Sequence, residues 1–422
     1  MVYLHVPFCR SFCTYCDFYS EIACRGRDAQ LFEDFTTAVC AEASLRRDEI
    51  EATRDLNTLY IGGGTPSVLP LSLLRKMAAA SLMTGGVPPE PPASLRSGGT
   101  MQPTASLMTG GVPPEPPASL CSDSSRQASC HPEQGEGSPW AEFTLEVNPE
   151  DIVEKGAAYV RGLLELGVTR VSMGVQSLDD GILRWMNRRH DAAHARQAFR
   201  ILRDAGVKNI SVDLIFGLSQ LSEATLTETL REIVVWRPEH VSAYQLSIEE
   251  GSALGKMVRE GRYEEATQEQ CAAQYRLLCD GLHAAGYGHY EISNWALPGF
   301  EAVHNSAYWS RHPYVGLGPG AHSFDGKVRS WNKDALPPAQ PDVSGGSWPL
   351  RGGQERLSEE EAREETVMLG LRTARGVAEG LLEADKAAAM LADGRLERLP
   401  GGQIRIPENH WFVSDDIIAD LL

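Results

Sequence analysis

The sequence predicts an α/β protein built on a parallel sheet, followed by a small helical C-terminal unit. Two observations carry this. Short apolar runs recur along the chain with amphipathic stretches between them, and the composition shifts near the end to a separate acidic segment. Most of the intervals suit one βα unit, at roughly 20–40 residues, and such alternation argues for parallel strands.

In order, the strand-like runs are Leu56–Ile61, Phe143–Val147, Arg170–Gly174, Ile210–Phe216 and Val241–Leu246. Ala192–Ala205 and Ala224–Trp236 are the clearest amphipathic helices between them. The interval from Ile61 to Phe143 is too long for one unit. It holds an internal duplication: Ala80–Leu95 reads ASLMTGGVPPEPPASL and Ala105–Leu120 repeats it letter for letter. Two Pro/Gly-rich copies without an apolar face cannot stack into a solenoid. Ser81–Ser138 therefore reads as a disordered insertion in a surface connection. Cys121, Cys130 and His131 lie within it, but nothing else there points to a metal.

A second Pro/Gly-rich shift, Asp334–Gly353, marks a linker, so the expected units are a core over 1–333, a linker over 334–356 and a C-terminal unit over 357–422. Ser358 and Glu361 form a capping box that starts a helix within Leu357–Leu371. Gln403–Leu422 reads as a short hairpin or wing followed by a final helix, which gives a winged-helix-like unit.

The chain has 422 residues and a formal charge of −18, which disfavours a general nucleic-acid surface. Met1 leads into an apolar run with no basic segment before it, so no signal peptide is expected. No apolar stretch reaches membrane-spanning length. Nine cysteines, an odd number, do not suggest a secreted disulfide framework. A cytoplasmic location is the expectation.

The chemistry begins at Cys9, Cys13 and Cys16, a C-x3-C-x2-C triplet. Three thiolates on so short a segment can hold a [4Fe–4S] cluster, which takes four ligands, and leave one iron open. Structural zinc is the alternative, but it needs a fourth ligand, such as Asp17 or His5, and favours C-x2-C pairs. Ile61-Gly-Gly-Gly-Thr-Pro-Ser67 follows a strand, and its glycines allow a backbone to approach a ligand closely. Glu146, Gln176 and Asp213 each sit in or at the end of an apolar strand, where α/β barrels build their sites. A buried polar group there needs a partner. Arg188 could pair with a ligand carboxylate. His304, in His-Asn-Ser-Ala-Tyr-Trp309, lies among aromatic residues, which suits either a core position or a flat metal-bearing ligand such as haem. Gly316–Phe324 reads as a tight loop lining the same cavity, with His322 as a further polar candidate.

Together the cysteine triplet with Tyr15-Cys16-Asp17-Phe18, GGGTPS, Glu-x-Asn-Pro, GVQS and HNSAYW resemble one branch of the radical S-adenosylmethionine (SAM) family. That branch contains the oxygen-independent coproporphyrinogen III dehydrogenase and a haem chaperone. The dehydrogenase continues its triplet with C-x-C, where this chain has Phe18, and carries a longer segment before the cysteines than Met1–Phe8. Both differences, with HNxxYW, favour the chaperone. The resemblance implies a partial, open (β/α)6 barrel with a [4Fe–4S] cluster on Cys9, Cys13 and Cys16 at its C-terminal rim. It implies SAM contacts from Tyr3, Tyr15, Gly63, Gly64, Thr65, Glu146, Gln176, Arg188 and Asp213, and haem on His304. The implied partners are haem, a haem-acceptor protein, expected to be respiratory, and an electron donor. The alternative activity is oxidative decarboxylation of coproporphyrinogen III. A third reading keeps the cluster purely structural.

Overall fold

The computed structural model describes residues 1–23, 28–82, 138–338, 341 and 348–422. Nearly all of the insertion, with Cys121, Cys130 and His131, lies outside them.

β1 (Val2–Val6) leads into a short parallel pair, β2 (Phe8–Cys9) and β3 (Glu21–Ile22), which closes the cysteine loop. Two helices, α1 (Asp28–Leu45) and α2 (Arg47–Ala52), precede β4 (Thr58–Gly63). Next come α3 (Leu71–Leu82), β5 (Glu142–Val147), α4 (Pro149–Leu166) and β6 (Arg170–Gln176). The helices α5 (Asp180–Trp185) and α6 (Ala192–Asp204) lead to β7 (Ile210–Phe216), α7 (Glu223–Trp236) and β8 (His240–Gln245). After α8 (Ala253–Arg259) and α9 (Gln268–Ala284), a hairpin of β9 (Gly288–Glu291) and β10 (Asn294–Ala296) adds to the sheet. Then α10 (Val303–Trp309) and β11 (Val315–Leu317) return the chain to the far edge.

The sheet order is β11-β1-β4-β5-β6-β7-β8-β10-β9. It is parallel from β11 to β8, and β10 and β9 are antiparallel. The order is linear, so this is a partial sheet. All five strand-like runs overlap strands of it, although Leu56–Ile61 begins before β4 and Val241–Leu246 runs past the end of β8. Ser81 is buried within α3, so the first two residues assigned to the insertion, Ser81 and Leu82, belong to that helix.

The strands alternate, because successive side chains point to opposite faces. Leu4, Val6, Leu59, Ile61, Phe143, Leu145, Val171, Met173, Val212, Leu214, Val241 and Ala243 are at most 1% exposed and form the apolar face. The intervening positions are polar or small: Tyr60, Gly62, Thr144, Glu146, Ser172, Gly174, Ser211, Asp213, Ser242 and Tyr244. One face thus holds the core, and the other supplies a polar interior.

A second sheet of β12 (His322–Phe324), β13 (Val328–Asn332) and β14 (Arg351–Arg356) follows. β14 lies inside the stretch assigned to the linker. Its Gly352-Gly353 pair suggested a break, but Trp331 of β13 lies across it: a Cβ on either glycine would fall 2.6–2.7 Å from that ring. The C-terminal unit contains α11 (Glu359–Gly370), opened by the expected Ser358–Glu361 capping box. β15 (Val377–Ala378), α12 (Ala384–Asp393), β16 (Glu397–Arg398), β17 (Gln403–Arg405) and α13 (Ser414–Leu421) complete it. It packs on the β9–β10 hairpin through Ile292 N–H to Arg372 O (3.0 Å) and Ala374 N–H to Tyr290 O (3.0 Å). No helix among the described residues is long and apolar enough to cross a membrane.

Candidate cofactor site

The cysteine loop is held at both ends and in its middle. Ala23 N–H donates to Cys9 O (2.8 Å), which closes the loop at β2–β3. Thr14 is bonded to Met186 O and Trp185 O, and Asn187 Nδ2 donates to Phe12 O, so the corner after α5 fixes the centre. Cys9, Cys13 and Cys16 are free thiols that open into one cavity of about 520 Å³. Burial pushes the Cys9 thiol up and the Cys16 thiol up to about 11. A metal centre would draw those protons off, since the thiolate is the ligand form.

The β4 glycines sit closer to the chain itself than to the cavity. Gly64 N–H donates to Val6 O (2.8 Å) and Thr65 N–H to Phe8 O (2.7 Å). A Cβ on Gly64 would lie 2.8 Å from the carbonyl oxygens of Val6 and Phe8. Gly63 has φ +106°, and a Cβ there would strike the His5 ring. The glycine run therefore lets β4 approach the strand that delivers Cys9. Thr65 Oγ1 lies 3.6 Å from Cys9 Sγ.

The polar strand faces meet the thiols from the other side. Glu146 accepts from Tyr60 OH (2.7 Å) and Gly63 N–H (3.0 Å). Its burial, with Asp213 nearby, pushes the carboxyl up to about 7 despite those bonds. Asp213 accepts from Ser172 Oγ (2.9 Å), and burial raises it too. Gln176 has φ +64° at a register shift between β6 and β7, a left-handed backbone rare outside glycine. Arg188 donates to Gly174 O (2.8 Å) and to Cys13 Sγ (3.4 Å), while its Nε has no partner among the described residues. It makes no ion pair with a carboxylate among the described residues. Burial opposes its charge, but the neighbouring Tyr15 hydroxyl and Cys13 thiol outweigh that and keep it cationic.

Of the SAM candidates, Tyr15, Gly63, Gly64, Thr65, Glu146, Gln176, Arg188 and Asp213 line this cavity with the three cysteines. Tyr3 does not; its hydroxyl is bonded to His5 Nδ1 (3.0 Å), behind Tyr60. The other His5 nitrogen meets Tyr19 O (2.9 Å), so His5 has no nitrogen free for a metal. The Gly316–Phe324 loop is also elsewhere. It is anchored by the buried Glu42–Arg46 pair, with Gly318 N–H on Glu42 (2.9 Å) and Arg46 on Gly316 O (2.6 Å). His322 is exposed and stacks on Trp331.

His304 lies apart from the cavity lining. The ring is 0% exposed, with Nδ1 on Thr58 Oγ1 (2.9 Å) and Nε2 on Tyr308 OH (3.1 Å). Burial pushes it down to about 3, so it is neutral. Both nitrogens are engaged, and neither faces the cavity. The next residue, Asn305, does line it. Tyr60, Ser172, Ser242, Tyr244 and Asn305 are wall residues that the sequence reading missed. Four of them carry a findable signal: they occupy the polar phase of the strand alternation.

The sequence profile of the Radical SAM superfamily matches residues 3–233, more than half of the chain. The chain belongs to this superfamily. "Heme chaperone HemW" of Mycobacterium tuberculosis is 30% identical, over 100% of this chain and 94% of that protein. The protein of that name from Bacillus subtilis is 30% identical, over 89% of this chain and 84% of the other. Among solved structures, the radical SAM enzyme coproporphyrinogen III oxidase (HemN) of Escherichia coli superposes with a TM-score of 0.68 at 17% identity. That match covers 99% of this chain and 89% of the other, and shows the shared fold. The chain is thus homologous to haem-related radical SAM proteins of the HemW/HemN type.

Proposed function

We propose that the protein is a haem chaperone that holds a [4Fe–4S] cluster on Cys9, Cys13 and Cys16, binds SAM beside it, and passes haem to an acceptor protein. The observation that carries the cofactor half is the convergence of three thiols and a buried, carboxylate-free guanidinium on one cavity. The residues fit the group. Three thiols satisfy three irons of a cubane, and Arg188 is a fixed cation beside them. When bound, the cluster would supply an open iron for the amino and carboxylate groups of SAM.

The chain's own residues do the rest. Arg188 balances negative charge at the thiols. Glu146 and Asp213 bring two carboxyls to the same cavity, so it offers groups of both kinds to a zwitterion. Thr65 and the Gly63–Gly64 backbone hold the cluster loop against β4. We assign these positions, with Tyr15 and Gln176, to SAM binding, and Tyr3 to support of the wall behind them.

The haem half is supported by the names of the relatives and by Phe18. That ring, 65% exposed, and the ring of Phe12, 51% exposed, both line the cavity. Two apolar rings there offer a surface that a porphyrin face can cover. We leave the axial ligand unassigned, because His304 has no free nitrogen in this conformation.

The test is anaerobic reconstitution followed by two measurements on one sample. EPR of the reduced cluster should change on adding SAM, and haem titration should shift the Soret band at micromolar concentration. Absence of haem binding, with protoporphyrinogen IX formed from coproporphyrinogen III, would replace the chaperone reading by the oxidative decarboxylase.

A further inference from the structure

Where the C-terminal unit meets the core, three metal-ligating side chains converge, and a fourth, His283, meets one of them. Cys279, His289 and Glu408 each bring a donor atom to within 4.8 Å of the others. His289 Nδ1 lies 2.7 Å from Glu408 Oε1, and His283 Nε2 lies 3.1 Å from the same oxygen. These residues come from three elements. Cys279 and His283 are i and i+4 on α9, so they share one face of the helix. His289 is on β9, and Glu408 follows β17 in the C-terminal unit.

The orientation of His289 is the telling feature. Its ring is clamped between Trp295, stacked at 4.0 Å, and Trp411, edge-on at 4.3 Å. Its Nε2 is 3.3 Å from Ile292 O and its Nδ1 is 2.7 Å from Glu408 Oε1; the tautomer with its proton on Nε2 donates to the carbonyl. Nδ1 then presents a lone pair to a carboxylate oxygen. Two acceptors in contact need a cation between them, either a proton or a metal. A histidine that donates from one nitrogen to a backbone carbonyl and points the other at anionic donors has the arrangement of a metal ligand.

We propose that Cys279, His283, His289 and Glu408 form a second metal site, for a zinc-class divalent cation, that clasps the C-terminal unit to the core. The donor set is one thiolate, two neutral imidazoles and one carboxylate, all of them donor types that zinc accepts. Its two negative charges neutralise a divalent ion. With metal–ligand bonds of about 2.0–2.3 Å, the His289–Glu408 contact would open by a few tenths of an ångström. Glu408 and His283 are partly exposed, so they can make that adjustment and leave an entry path.

The experiment uses the full chain with its cluster loaded, so that Cys9, Cys13 and Cys16 are occupied. Zinc is added, free metal is removed by gel filtration, and zinc and iron are counted separately by elemental analysis. The expected result is about one zinc per chain in the wild type. A competing chromophoric chelator should show zinc affinity reduced at least about tenfold in Cys279→Ser and in Glu408→Gln. Glu408 is partly exposed, and the isosteric Glu408→Gln keeps a folded protein even if the cysteine variant does not. Cobalt should replace zinc and give thiolate-to-metal absorption that is absent in Cys279→Ser. Less than about a tenth of a zinc per chain in the folded wild type, or zinc binding unchanged in Glu408→Gln, overturns the proposal.

Discussion

His304→Ala separates a core histidine from a haem ligand. In the wild type the ring joins Thr58 Oγ1 to Tyr308 OH and packs against Tyr60 and Tyr308, both at centroid distances of 5.2 Å. Alanine removes the ring and leaves two buried hydroxyls without this partner. An orphaned buried hydroxyl costs about 1–3 kcal/mol. Rotation of both hydroxyls recovers part of that, and the vacated ring volume adds a cavity term. The sum is about 3–5 kcal/mol, or roughly 3–6 °C in Tm for a chain of this size. Urea unfolding followed by circular dichroism measures it, and haem titration well below the melting range measures binding. The expected result is the stability loss with haem affinity changed by less than about threefold. The wild type should also lose stability as pH falls below 6.5. There the unfolded chain protonates its histidine, while the folded ring stays neutral down to about 3. His304→Ala should lack that contribution. A stable variant, within about 1 kcal/mol of wild type, that binds haem at least ten times more weakly would refute the reasoning.

Three other outcomes follow from the geometry. Gly64→Ala places a methyl 2.8 Å from two backbone oxygens of the strand leading to Cys9, so it should cost about 1–3 kcal/mol and lower iron per chain after reconstitution. Wild-type iron content at wild-type stability would refute that. Arg188→Met should weaken SAM binding at least about tenfold by equilibrium dialysis, with Arg188→Lys restoring only part, because an ammonium lacks the planar fork that reaches Gly174 O and the thiol together. Unchanged affinity would make the guanidinium merely structural. Glu291 is 0% exposed, and burial pushes its carboxyl up to about 8. The unfolded chain loses that proton near 4.5 while the folded chain keeps it, so wild-type stability falls as pH rises from 4.5 to 8. Glu291→Gln should lack this slope and gain a few kcal/mol relative to wild type above pH 8; parallel curves of stability against pH would refute it.

Strand positions were legible because their apolar phase is nearly unbroken, and Ile210–Phe216 coincides with its strand end to end. The cavity was legible where a polar residue interrupts that phase with a charge or an amide, as Glu146, Gln176 and Asp213 do. Serine and tyrosine on the same phase, such as Ser172, Ser242 and Tyr244, looked like ordinary strand residues. β14 was illegible because its glycines are there to admit Trp331, a contact from another strand. The loop after β11 was misplaced for a similar reason. Its glycine content suggested a ligand, but its partner is the Glu42–Arg46 pair, remote in sequence. The reach of the cluster motif past its own residues was also hidden: the corner at Trp185–Asn187 pins Thr14 and Phe12, and no local pattern marks it.

The HNSAYW segment shows how a site motif can act without touching the ligand through its most suggestive residue. Glu142 accepts from the backbone N–H groups of Val303 and His304, both at 2.9 Å, and so fixes the rotation of α10. With that rotation set, residues 304 and 308 share the buried face, and Asn305, about 100° round the helix, reaches the cavity. His304 still acts on the site from behind. It packs on Tyr60, whose hydroxyl donates to Glu146, which also accepts from Gly63 N–H. This connected path runs from the buried ring to the glycine segment that seats Cys9. A substitution at His304 should therefore disturb SAM affinity more than haem affinity, the reverse of what an axial ligand would do.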